Sequence, residues 1–178
     1  MTKKLLCFII TFILILTLTA CGGGSEESAD SAADNNEEAA GAAEEEKVYG
    51  VGDTWTVDGQ WYFTIDSVEP TDERNEFDES NPAQVVLVKY HYENIGYEDS
   101  NGIMDGLFFD PDSAIDSEGN MCKTYPIDYE YAQETPVGAK CSASTAFGLV
   151  AEGSPITINI SQYDGNGEEQ TAKFVLEF

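Results

Sequence analysis

Basic side chains are scarce in this chain: eight Lys and Arg stand against 34 Asp and Glu, with one histidine, for a formal charge of -26 at pH 7. A surface this acidic repels phosphate backbones, so nucleic acid is not expected as a partner. Electrostatic adhesion to anionic lipid or teichoic acid is disfavoured for the same reason unless cations bridge the two. The lone His91 sits between two tyrosines, and no His-Glu-x-x-His zinc signature, Gly-x-Ser-x-Gly elbow or glycine-rich phosphate loop is present. His91 is therefore read as a residue of a sheet face, no enzyme activity is expected, and no cofactor is implied. Paired carboxylates of the glycosidase kind are the one opening for catalysis, and acidic residues are too abundant for any pair to stand out. Amphipathic helix patterns longer than two turns are missing too, as are internal repeats.

Only one long apolar run exists, and it lies at the start. Met1-Thr2-Lys3-Lys4 is followed by about 14 uncharged residues, 5–18, rich in Leu, Ile and Phe. That is shorter than the roughly 20 residues a membrane-spanning helix needs, and it matches the apolar region of an export signal. Leu18-Thr19-Ala20-Cys21 then forms a lipobox, in which small residues suit the signal peptidase and the Cys21 thiol takes a diacylglyceryl group. The alternative, an uncleaved membrane helix with Cys21 there by chance, has to explain why the positive start, short run, small residues and cysteine coincide. Residues 1–20 are thus read as a lipoprotein signal peptide, which carries Cys7 away. The expected partner is a membrane, reached through acyl chains that each partition at about 0.8 kcal/mol per buried CH₂. The expected location is the extracellular face of the cell membrane.

Residues 21–46 comprise the lipidated Cys21 and then a stretch without Ile, Leu, Val, Met, aromatic, Lys or Arg, but with nine acidic residues. Nothing in it offsets ordering entropy, so it reads as a disordered tether with a reach of roughly 25–30 Å. An acidic interaction tail is the other reading. Residues 47–178 then suit a single domain with one core; they carry 25 acidic against six basic residues, a charge of -19.

Period-two alternation runs through this domain. Strands are expected at 54–57, at Trp61-x-Phe63-x-Ile65 after an Asp58-Gly59 turn, and at 84–94, where apolar residues begin both faces as in a central strand. Further strands are expected around 107–115, 121–125, 141–150, 156–161 and 174–178, with one helical turn around 129–133. Seven or eight short strands with turn signals between them indicate an all-β fold, an antiparallel immunoglobulin-like β-sandwich.

Four features sharpen this: Gly50-x-Gly52-Asp53, Tyr90-x-Tyr92-x-Asn94, Asp116-x-x-Gly119, and Pro136-x-Gly138 ahead of the strand with Phe147. Together they resemble the telokin-like, immunoglobulin-fold domains of Gram-positive surface lipoproteins, over about residues 49–178. The resemblance implies a fold and no catalytic set; mycobacterial secreted antigens of similar fold suggest a host-facing role by analogy alone. The chain departs from the pattern by spacing Pro136-Val137-Gly138 and by adding two cysteines.

Those cysteines, Cys122 and Cys141, are expected to form a disulfide in an oxidising exterior, with free thiols as the alternative. Asp110, Asp112, Asp116 and Glu118 are weak calcium candidates, since the stretch fails the EF-hand pattern at Ile115 and Met121 and reads equally as a hairpin turn. Tyr125, Tyr129 and Tyr131 are candidates for a stacking surface for sugar or peptide. The expected function is a non-catalytic surface module for protein, peptide or envelope contact. A small accessory hydrolase and a ligand-free structural lipoprotein are the alternatives.

Overall fold

The computed structural model of the protein describes residues 47–99, 101–102 and 104–178. The export signal, Cys21 and the acidic tether lie outside the described residues.

Nine strands form in chain order: β1 (Val48–Tyr49), β2 (Thr54–Val57), β3 (Trp61–Thr71), β4 (Gln84–Asn94), β5 (Ser113–Ile115), β6 (Met121–Thr124), β7 (Lys140–Leu149), β8 (Ile156–Tyr163) and β9 (Glu169–Leu176). They hydrogen-bond into one sheet in the order β1-β9-β8-β5-β6-β7-β4-β3-β2. The sheet folds over on itself, so that Phe174 on β9 meets Phe63 on β3 with ring centroids 5.6 Å apart. The expected all-β sandwich is present, with nine strands in place of seven or eight. The helical turn expected around 129–133 is an irregular stretch instead. One pair, β1 with β9, is parallel. A two-residue strand has no alternation to read, which is why only its neighbour β2 was expected.

The Gly50-x-Gly52-Asp53 feature has a clear task. It carries the chain from β9's layer to β3's, in a turn closed by the Asp53 N–H on the Gly50 carbonyl (3.2 Å) and the Gly50 N–H on Asp53 Oδ2 (2.8 Å). Gly52 takes φ +82°, a conformation that glycine adopts without a Cβ penalty.

Central strand β4 pairs with β3 on one side and β7 on the other. Val86, Val88, Tyr90, Tyr92 and Asn94 point into the core, as their alternation requires. β3 keeps its parity only through a bulge: Ile65 pairs with Tyr90 and Ser67 with Lys89, so Asp66 is the extra residue. That restores Val68 to the core after Trp61, Phe63 and Ile65, and turns Asp66 outward, where it lies 2.8 Å from His91 Nδ1.

Asn94 ends β4 as a fully buried hub. Its Nδ2 donates to the carbonyls of Tyr97 (3.0 Å) and Thr135 (2.9 Å), and its Oδ1 accepts from the N–H groups of Gly96 (3.1 Å) and Tyr97 (2.7 Å). One side chain thus holds two loops to the strand end. Gly106 packs so closely on the Thr135–Pro136 backbone that a Cβ would overlap it.

The expected disulfide is corrected here: Cys122 and Cys141 are both buried and free. Lys123 pairs with Gly148 at one end of β7, whereas Cys141 pairs with Tyr92 near the other end. The two cysteines are therefore separated by about eight residues of strand, roughly 26 Å, against the about 7 Å between Cα atoms that a disulfide tolerates. Two cysteines in one domain suggest a pair, but only the register decides it. Burial also pushes the Cys122 thiol pKa up, which keeps it unreactive.

Two measurements test this description. Asn94→Ala takes the side-chain partners from the Tyr97 N–H and carbonyl, while the Gly96 N–H keeps the Gln60 carbonyl and the Thr135 carbonyl keeps the Leu107 N–H. It is expected to cost about 2 kcal/mol or more in urea unfolding, and a loss below about 1 kcal/mol would contradict the hub. Alkylation of the denatured protein without reductant, followed by peptide mass mapping, should label both Cys122 and Cys141, whereas a linked peptide pair would restore the disulfide.

Candidate functional site

The outward face of the sheet has its own small apolar cluster. On β7 the outward residues are Ser142, Ser144, Ala146 and Gly148, all small. They leave room for the chain after β6 to lie across the strand. Tyr125 buries itself against Ala146 and Val85, with Leu87, Ile127 and Tyr129 packed around them. A Cβ on Gly148 would come within 3.1 Å of Pro82 and 3.3 Å of the Tyr125 ring, so the packing over this residue is tight. This cluster explains why β4 begins with apolar residues on both faces.

Hydrogen bonds fix the crossing segment. Tyr125 N–H donates to the Ala146 carbonyl (2.7 Å) and Ser144 N–H to the Glu130 carbonyl (2.8 Å), while Ser144 Oγ accepts from Glu130 N–H (3.0 Å). The loop between β3 and β4 is tied to the same segment through Asn75. Its N–H donates to the Tyr125 hydroxyl (3.1 Å), its Nδ2 donates to the Pro126 carbonyl (2.8 Å), and its Oδ1 accepts from Phe77 N–H (2.9 Å).

Two grooves flank this segment and share Asp128 and Tyr129. The first, about 660 Å³, runs between the Asn75 loop and residues 126–131 and presents Phe77, Tyr129 and Tyr131 beside Glu73, Glu76 and Asp128. The second, about 650 Å³, lies between the segment and the outward sheet face at Asp66, Leu87, Lys89, Ser142 and Ser144. Phe77 is 85% exposed and Tyr131 71%. The Tyr129 and Tyr131 rings lie 4.9 Å apart. Burial, then the neighbouring Tyr131 and Asp110, raises the Tyr129 pKa, so its hydroxyl stays protonated at neutral pH.

The cations of this face are engaged. Lys89 bonds both carboxylate oxygens of Glu69 (2.9 and 2.8 Å), and Lys140 lies 2.9 Å from Glu93. Arg74 Nη1 donates to the carbonyls of Thr71 (2.9 Å) and Glu73 (2.8 Å).

Of the three tyrosines expected to form a surface, the structure brings Tyr129 and Tyr131 together and gives Tyr125 to packing. The four acidic candidates do not converge. Asp116 is buried and turned into its own hairpin, where Oδ1 accepts from the N–H groups of Glu118 (3.0 Å) and Asn120 (2.9 Å) and Oδ2 from that of Ala151 (2.8 Å). Asp164 repeats the device on Asn166 (2.8 Å) and Glu168 (3.0 Å), again with a positive-φ glycine three residues on, Gly167 as Gly119. These are hairpin anchors. Asp110 and Asp112 line a separate cavity of about 310 Å³ with Phe108 and Ser161, and Glu118 is exposed. Among the described residues, no group of three or more His, Cys, Asp or Glu is placed to hold a metal ion. Sequence reasoning missed Phe77, Asn75 and Ser144; the available signal was Phe77, a lone aromatic in the polar stretch 71–81.

No protein-family model and no curated protein matches the chain. Among solved structures, it is similar to MPT63, a secreted protein from Mycobacterium tuberculosis, at 13% identity with a TM-score of 0.43, covering 75% of this chain and 98% of that one.

The hairpin anchors predict a pH response. Burial works against ionisation of Asp116, but hydrogen bonds from Asn120, Ala151 and Glu118 outweigh it and hold the carboxyl at about 2, below its ordinary 3.8. A carboxyl held low in the folded state contributes its full stability above the unfolded value and loses it as pH falls through the folded one. Asp164 is lowered as well, first by the Glu168 N–H. The melting temperature should therefore fall as pH drops from about 4 towards 2, and Asp116→Asn should flatten that fall. An unchanged acid profile in the variant would contradict the assignment.

Proposed function

We propose that the protein is a lipid-anchored module on the outer face of the cell membrane. It has no catalytic role, and it uses the grooves around Tyr129 to contact a protein, peptide or envelope component. The anchor rests on the lipobox at Cys21, and the finer likeness to telokin-like lipoprotein domains rests on the turn and strand-end features named above. The observation that carries the contact role is the placement of Phe77 and Tyr131. Two large apolar rings stand in solvent on one groove whose walls are fixed by Asn75 and Ser144. Rigid aromatic side chains on a preformed concavity supply much of the binding energy in recognition surfaces, because little entropy is lost when they are covered. The adjoining groove on the outward sheet face sets the Lys89–Glu69 ion pair beside the apolar Leu87.

The test uses the full-length protein in its host membrane, with a photo-reactive phenylalanine analogue at position 131 and, separately, at position 163. Tyr163 is also well exposed, at 59%, and lies on β8. Adducts with an envelope component are expected at 131 and not at 163. Adducts at both sites alike, or at neither, would remove the contact role from the groove. In the same cells Cys21→Ala should abolish the membrane-held mature form; unchanged anchoring would overturn the lipid attachment.

A further inference from the structure

We propose that the partner seated in the groove of Phe77, Tyr129 and Tyr131 is basic: an extended peptide segment bearing Lys or Arg side chains. This rests on the contact role just proposed and gives its partner a chemistry. Three carboxylates, Glu73, Glu76 and Asp128, line the groove with the aromatic rings. The one cation lining it, Arg74, donates from Nη1 to the carbonyls of Thr71 and Glu73 and keeps its charge, so three carboxylates against one guanidinium leave the lining with an excess of two negative charges. In the adjoining groove Lys89 is held by Glu69. An incoming ammonium or guanidinium therefore meets ring faces that attract cations and carboxylates that pair with them. The -19 charge of residues 47–178 draws such a segment in over long range and repels acidic ones. The exposed Phe77 and Tyr131 faces would cover the aliphatic stems of the same side chains.

Long-range attraction alone would make any basic peptide stick weakly anywhere on the domain, so the test must separate groove from net charge. Full-length protein in neutral detergent micelles is titrated into fluorescein-labelled Gly-Arg-Gly-Arg-Gly-Arg-Gly and read by anisotropy. The matched glutamine and glutamate peptides and a chitin oligosaccharide are run beside it. The arginine peptide is expected to bind best. Tyr131→Ala should weaken it by about tenfold, as should the pair Glu76→Gln with Asp128→Asn. The pair Glu168→Gln with Glu169→Gln removes the same charge at the β8–β9 turn and should change binding by less than about twofold. Equal losses in the two charge pairs would overturn the proposal in favour of delocalised attraction. Binding of the glutamine peptide or the oligosaccharide as tightly as the arginine peptide, still lost in Tyr131→Ala, would overturn the basic partner while leaving the groove as a contact surface. No arginine-peptide binding at all would also overturn it, and cross-linking at position 131 then decides whether the broader contact role survives.

Discussion

Phe109 belongs to no strand, yet three adjacent strands set their aromatic rings around it. Its ring lies 5.8 Å from Trp55, 5.9 Å from Trp61, 4.9 Å from Phe63 and 5.4 Å from Tyr92, joining β2, β3 and β4 in one aromatic cluster. Its carbonyl accepts from the buried Tyr90 hydroxyl at 3.1 Å. Each such ring pair adds about 0.5–1.5 kcal/mol beyond its buried area. The cluster marks the inward face of β3 and β4, and β7 takes its parity from its register with β4. Parity also sets which residues are left outside, and the grooves are built from those.

The outward face shows how one strand serves two purposes. β7 alternates Cys141, Ala143, Thr145, Phe147 and Leu149 inward with Ser142, Ser144, Ala146 and Gly148 outward. The inward set fills the core. The small outward set lets the segment after β6 lie flat on the sheet, and Ser144 supplies hydrogen bonds to hold it. Larger outward residues would lift the segment away, and Tyr129 and Tyr131 would lose their setting. The proposed contact surface therefore depends on a loop held by hydrogen bonds over the sheet.

Alternation in the sequence was enough for β2, β3, β4, β6, β7 and β8. By contrast, β1 was missed, only Ser113–Ile115 of the region expected at 107–115 is a strand, and the strand expected at 174–178 begins at Glu169 and ends at Leu176. β4 was legible to the residue, and its apolar starts on both faces correctly marked it as central. Strand order was not legible, since pairing partners lie far apart in sequence and leave no local trace. The cysteine pair failed for that reason: compartment chemistry favours a disulfide, but register puts Cys122 and Cys141 at opposite ends of β7. Tyr129 and Tyr131 were candidates from residue type alone, and the structure sets their rings side by side. Tyr125, of the same type and four residues away, is a packing residue, and only the small outward face of β7 tells them apart. Phe77 stayed hidden because its significance comes from Asn75 reaching a tyrosine fifty residues on.

The groove walls are fixed by the chain's own hydrogen bonds. Native-state hydrogen exchange reads this directly at two amides, Ser144 N–H bonded to Glu130 and Asn75 N–H bonded to the Tyr125 hydroxyl. Ser144 is expected to be protected close to the level of the β4 and β7 core amides, and Asn75 to exchange far more slowly than the exposed turn at Val137. Exchange of both amides at the rate of that turn would contradict it.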